Sequence, residues 1–142
     1  MIYLDTAALV KLVRHEPESE ALADWLDGRA DSMLVSSALV EVELPRALRR
    51  TGPELLSAVP TLLAQVARYE IDDLVRSTAA TYPDPDLRSL DAIHLATAQA
   101  VFGGGLAAFV TYDRRLLASA EALDLPVRSP KAIPGESGPQ SG

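Results

Sequence analysis

The 142-residue sequence contains no cysteine. That excludes disulfides and thiolate-held metals, and it suits a reducing compartment, so a cytoplasmic location is expected. Aromatic residues are scarce, at 5 % with a single Trp, while hydrophobic residues reach 48 %. The core must therefore be largely aliphatic. Positive charge is also in short supply: 13 Lys and Arg stand against 20 Asp and Glu, for a formal charge of −7. Non-specific binding to nucleic acid, which rests on basic side chains meeting phosphates, is disfavoured by that balance. Chemistry on nucleic acid is not, because bound cations neutralise acids gathered around them. Lys11, Arg14, Arg46, Arg49, Arg50, Arg88, Arg114 and Arg115 also offer local positive charge. No apolar run approaches the roughly 18 residues of a membrane span. No basic segment precedes an apolar one at the N-terminus, so neither a membrane span nor a secretory signal is expected. There is no internal repeat.

What is present alternates between two periods. MIYL reads as a short buried strand, SMLVSS as a second, RYEI as a weak third, LAAFVTY as a fourth and LPVRS as a last. Between them lie helical patterns: TAALVKLVRHE, ESEALADWLDG and ALVEVELPRALRRTG, the last with Ser36 or Ser37 as N-cap. PELLSAVPTLLAQVA, DDLVRSTAATY, SLDAIHLATAQAVF and DRRLLASAEAL follow. Pro45 falls inside the third helix, where a kink is expected, and Pro60 interrupts the fourth. PKAIPGESGPQSG is rich in Pro, Gly and Ser and reads as a disordered tail, with a single domain over 1–128 and the tail over 129–142. Strands alternating with helices predict an α/β fold with a parallel sheet covered on both faces. In such sheets, sites lie beyond the carboxyl ends of the strands.

Two acids occupy that position: Asp5 directly after MIYL and Asp113 after FVTY. Two more are embedded in apolar helices. Glu43 lies in ALVEVELPRAL with Glu41 as its alternative, and Asp91 lies in SLDAIHLATA. An acid in an apolar helix is costly unless paired or bound to a cation. Each acid alone is most simply a cap or half of an ion pair, but four together suit hard divalent cations such as Mg²⁺ and Mn²⁺, which take oxygen ligands. Such ions activate water and screen a phosphodiester from the carboxylates. His94, three residues after Asp91, reads as a hydrogen-bonded structural histidine, not as an acid or base. His15 reads as exposed, and Trp25 as core or interface.

The stretches YLDTAALVKL, SSALVEVELPRAL, LDAIHLATA and FVTYDRRLLASA occur in the order and spacing of PIN-domain ribonucleases. Over roughly residues 1–128 the chain resembles, most closely, the VapC toxins of bacterial VapBC toxin–antitoxin systems. The resemblance implies a PIN-like three-layer α/β/α fold with a central parallel sheet. It also implies a metal-dependent endoribonuclease acting on structured RNA, tRNA or ribosomal RNA, with Mg²⁺ or Mn²⁺ as cofactor. Asp5, Glu43, Asp91 and Asp113 would be the catalytic acids, and Asp5, Asp91 and Asp113 the metal ligands. Thr6 and Thr111 would be auxiliary hydroxyls, with a plain N-cap and a plain strand residue as the alternatives. Implied partners are an RNA substrate, a VapB-type antitoxin and a second copy of the chain. Pro45 departs from the unbroken VELxRA helix of those relatives, which puts the placement of Glu43 in question.

A second reading is a binding or signalling domain without nuclease activity, such as a phospho-receiver. That fold wants an acidic pair after the first strand, where this chain has Asp5 followed by Thr6. A haloacid dehalogenase-type phosphatase wants an Asp at position 7, which is Ala. A PIN domain that has lost its activity is a further alternative, but all four acids are present.

Overall fold

A computed structural model describes residues 1–132. Five short strands form one sheet in the order β3-β2-β1-β4-β5, all parallel: β1 (Ile2–Leu4), β2 (Leu34–Ser37), β3 (Val66–Tyr69), β4 (Ala108–Val110) and β5 (Val127–Arg128). Alternation along the strands divides the interior in two. Ile2, Leu4, Ala108 and Val110 face one layer of helices, and Tyr3, Val35 and Phe109 face the other. The first layer comprises α1 (Thr6–Val13), α2 (Ser19–Asp27), α3 (Val40–Thr51) and α4 (Val59–Leu63), contributing Leu9, Leu22, Leu44, Leu48 and Leu63. On the other side, α6 (Ser89–Ala96) and α7 (Arg114–Ala122) contribute Leu95, Leu116 and Ala120, and α5 (Asp73–Ala80) packs against α6. The result is the expected three-layer α/β/α arrangement. Each fully buried Leu contributes roughly 1.5–3 kcal/mol, so the paired cores carry most of the stability.

Several expected boundaries moved. The first helix ends at Val13, not near Glu16, because Arg14 turns extended while Lys11 reaches Glu16 and Glu18 at 3.0 and 3.3 Å. The stretch from Pro53 splits into a 3-10 turn (Pro53–Ala58) and the short α4. β3 starts at Val66, two residues before RYEI, because Val66 is the buried residue that pairs with Leu34 of β2. SLDAIHLATAQAVF is α-helical only to Ala96 and continues as wider π turns from Thr97 to Phe102. There the Thr97 hydroxyl donates to the Ile93 carbonyl at 2.7 Å, taking an acceptor the backbone ladder uses. Neither Ser36 nor Ser37 is the N-cap of α3, which is Leu39 without a side-chain cap bond; Ser37 accepts the Leu39 N–H at 3.1 Å in the turn just before the helix. Ser36 instead donates to the Leu4 carbonyl at 2.7 Å and ties the ends of β1 and β2 together.

α3 is one continuous helix through Pro45. Proline deprives the Glu41 carbonyl of its donor, but Glu41 is exposed and water can serve it. Replacing Pro45 with Ala is expected to stabilise the protein by about 1–2 kcal/mol: less than the ~3 kcal/mol helix-interior penalty, because proline also restricts the unfolded chain. A thermal melt reads this directly, and a lower melting temperature would mean that α3 needs the proline's shape.

Of the expected tail, Ser129 donates to the Thr111 carbonyl, and the Pro130 carbonyl accepts from the Tyr112 hydroxyl at 2.7 Å. Residues 133–142 lie outside the described residues.

Candidate active site

With β2 on one side of β1 and β4 on the other, the chain's path reverses at the β1/β4 boundary. The crevice beyond the carboxyl ends of those two strands is where open parallel sheets place ligands. Asp5 leaves β1 directly into it and caps α1, its Oδ1 accepting the Ala8 N–H at 2.9 Å. Its Oδ2 accepts the Thr111 hydroxyl at 2.7 Å, just past the end of β4. Thr111 Oγ1 also accepts the Asp113 N–H at 3.2 Å, so one hydroxyl links the two strand-end acids. Thr111 is therefore more than a strand residue. Asp113 is exposed and caps α7, with Oδ1 accepting the N–H groups of Arg115 and Leu116 at 2.8 and 3.2 Å.

Glu43 is the α3 acid that joins this end of the sheet. Glu41 points elsewhere and pairs with Arg68 at 3.2 Å. Despite Pro45, Glu43 Oε1 accepts from the Thr6 hydroxyl at 2.5 Å and from His94 Nε2 at 2.9 Å. The α1 cap is Asp5, so Thr6 is free for this bond and is not a plain N-cap. Burial pushes the Glu43 carboxyl up, but the bonds from His94 and Thr6 outweigh it and hold the group below its ordinary range.

His94 is 2 % exposed and hydrogen-bonded, as expected of a structural histidine. What the sequence did not reveal is its partners. Nδ1 lies 2.7 Å from the hydroxyl of Tyr3 in β1, and Nε2 meets Glu43 from the opposite helical layer. A Tyr among aliphatic residues in the first strand was the one available signal. His15 is exposed as expected, and Trp25 is half-buried against the first core with Arg29 over its ring.

The acids at this end of the sheet feel one another's charge. Asp5 is held above its ordinary range, chiefly by burial and also by the charge of Asp91, although Thr111, Ala8 and His94 pull it back. Asp91 is raised by burial, then by Asp113 and Glu43, against His94 and Arg88. These groups carry more negative charge than the protein itself compensates. Among the described residues, no three His, Asp or Glu side chains stand close enough to enclose an ion. The donor set is nonetheless one of hard oxygens, and Mg²⁺ is commonly held by one or two carboxylates with the rest of its shell from water and phosphate. In its chemistry, though not as an enclosed cage, the donor set suits such an ion.

A cleft of about 960 Å³ opens beside Asp91 and Asp113, with Leu87, Leu95, Ala118 and Leu123 in its wall and Arg88, Arg114 and Arg115 among its lining residues. Of the basic residues singled out in the sequence, these three adjoin the acids. Lys11 and Arg14 are instead engaged with Glu16, and Lys11 with Glu18 as well.

Residues 2–122 match the PIN domain family model. The chain belongs to the PIN-domain family. The PIN domain is 61 % identical over 131 residues to a protein named Ribonuclease VapC35 from Mycobacterium tuberculosis H37Rv, covering 92 % of this chain and 97 % of that protein. It is 42 % identical over 129 residues to Ribonuclease VapC46 of the same strain, covering 91 % of this chain and 97 % of that one. It is 40 % identical over 136 residues to Ribonuclease VapC47 of strain CDC 1551, covering 94 % and 99 %. This PIN domain is thus closely related to the VapC ribonucleases of Mycobacterium. Among its described residues, no helix is long and apolar enough to cross a membrane.

Proposed function

We propose that this PIN domain is a metal-dependent endoribonuclease, the toxin component of a type II toxin–antitoxin pair. Its substrate class is structured RNA, tRNA or ribosomal RNA. The observation that carries this reading is geometric: Thr111 links Asp5 and Asp113 at the carboxyl ends of β1 and β4, Thr6 reaches Glu43 beside them, and Asp91 and Asp113 line a cleft together with three arginines. The ribonuclease names of relatives that align over nearly their whole length support it.

Asp5, Asp91 and Asp113 would hold Mg²⁺ or Mn²⁺. When bound, such an ion supplies an activated water and charge stabilisation for the phosphodiester oxygens. The remaining steps belong to the chain. Thr111 and the Ala8 N–H fix both oxygens of Asp5, so the buried acid cannot swing away. Arg88, Arg114 and Arg115 can meet backbone phosphates and orient the strand across the acids. Glu43 has Oε1 tied by Thr6 and His94, while Oε2 has no hydrogen bond from the described residues and is available to accept a proton from water. In the hydrolysis a water oxygen bonds to phosphorus as the bond to the leaving ribose oxygen breaks. The water's proton goes to Glu43, and the leaving oxygen takes one from solvent. A VapB-type antitoxin would silence the site by covering it, and a cytoplasmic homodimer is the assembly this reading entails.

The test is cleavage of total bacterial RNA by the purified, antitoxin-free protein, with Mg²⁺ or Mn²⁺ and with chelator. Discrete fragments that require the ion are expected, and their mapped ends would name the target. Cleavage indifferent to chelator would overturn the metal assignment. Absence of cleavage with either ion, from folded protein, would favour the binding-only reading.

A further inference from the structure

We propose that His94 is a positioning residue for Glu43, held in place by the hydroxyl of Tyr3 from within the sheet. The proposal rests on the nuclease reading above and adds to it how the Glu43 carboxylate is aimed.

The three groups come from three parts of the fold. Tyr3 lies in the central strand β1 and is fully buried, stacked on Phe109 with ring centroids 5.1 Å apart. His94 lies on α6 in one helical layer, and Glu43 on α3 in the other. The imidazole bridges them at 2.7 Å to the Tyr3 hydroxyl and 2.9 Å to Glu43 Oε1. The network fixes one proton: a carboxylate only accepts, so Nε2 donates to Glu43, while Nδ1 pairs with the Tyr3 hydroxyl. Every buried side-chain polar atom among the described residues has a partner, so this arrangement leaves none orphaned.

The consequence falls on Glu43. Glutamate has three rotatable side-chain bonds, and Glu43 is a half-buried residue near the start of α3. Two donors on the same oxygen, Thr6 and His94, remove that freedom and fix which oxygen is left over. His94 is itself clamped by a Tyr that core packing holds rigid, so the orientation of Glu43 is anchored in the most buried strand of the sheet. Misplacing a reacting group by about 1 Å can cost roughly a hundred-fold in rate, so a rigid second layer of this kind matters to turnover.

The competing view is that His94 only satisfies a buried tyrosine and staples the two layers. Two substitutions separate the views. In His94→Gln the amide can reach the place of Nε2 and keep the bond to Glu43 while losing Tyr3. In His94→Asn the shorter amide reaches the place of Nδ1, keeps Tyr3 and loses Glu43. Both remove the ring and should weaken the fold alike. With RNA as substrate and Mg²⁺ present, well below the melting temperature of each variant, His94→Asn is expected to lower kcat about 10–100-fold with KM little changed. His94→Gln should stay within a few-fold of the parent. Carboxyl NMR titration of Glu43 in the metal-free protein gives a readout independent of cleavage: the pKa should rise in His94→Asn and stay low in His94→Gln. Tyr3→Phe, which preserves ring packing, should lower kcat a few-fold and loosen Glu43, and it serves if both His94 variants fail to fold. Equal losses in the two His94 variants with unchanged Glu43 titration would overturn the proposal, as would a Tyr3→Phe protein identical to the parent in both readouts. If the parent protein cleaves no RNA, the nuclease reading falls, while the Glu43 titration still decides whether His94 orients it.

Discussion

Asp5→Asn is expected to raise the melting temperature of the metal-free protein and to lower RNA cleavage by about a thousand-fold, some 4 kcal/mol of lost barrier stabilisation. The two effects have one cause. Asp5 is 4 % exposed, and burial together with the nearby charge of Asp91 holds its carboxyl above the ordinary range, so the folded protein carries an ionised group it solvates poorly. Asn caps helices as well as Asp, so its carbonyl oxygen can keep the Ala8 N–H. Its amide NH₂ then faces Thr111, whose hydroxyl can turn to accept. The shape is kept and the charge is gone, which should stabilise by about 1–2 kcal/mol, as is common when a functional site is relieved of strain. Cleavage fails because a neutral amide is a far weaker ligand for a hard dication. Thermal melts and initial cleavage rates measure both halves. A less stable but fully active Asp5→Asn would mean that Asp5 is a helix cap and nothing more.

The sequence carried the parts of this site that depend on local order. An acid placed directly after a strand of three buried residues must emerge at the sheet's carboxyl edge, so Asp5 was legible from MIYLD alone. Asp113 was legible in the same way, and Asp91 from its neighbours. What was not legible depends on contacts distant in sequence. Nothing near Thr6 indicates that it meets Glu43 37 residues away, and nothing near Tyr3 announces His94 91 residues away. At Pro45 the local chemistry states only a penalty: Val40, Leu44 and Leu48 pack as one buried stripe, and α3 runs continuously through the proline. Packing against the first core outweighed the local penalty. Glu41 and Glu43 part company through distant contacts: Glu41 pairs with Arg68, whose position in the edge strand β3 no local pattern foretells, and Glu43 turns to Thr6 and His94.

Added Mg²⁺ or Mn²⁺ should stabilise the protein strongly at pH 8 and progressively less as the pH falls. The direction follows from the same carboxylates. Asp5 and Asp91 have folded pKa values above the ordinary 3.8, so the folded state binds protons more tightly than the unfolded one. Metal-free stability is therefore reduced above those raised values and recovers as the pH drops through them. Glu43 behaves oppositely: its pKa is lowered from 4.5, so its contribution is present above that value and is lost on further acidification. An ion held by Asp5 and Asp91 would compete with protons for them, so its effect would be complete only where both are ionised. At a hundred times its Kd it should add about 2.7 kcal/mol. For a domain of this length that is a rise of roughly 8–11 °C in melting temperature. Acidifying toward the raised pKa values should narrow the gap from both sides, since the metal-free protein gains stability as the loaded one loses its ion. Asp91→Asn should shrink the gap at pH 8. A metal-induced shift that does not shrink anywhere on acidification and survives Asp91→Asn would place the ion somewhere other than these carboxylates.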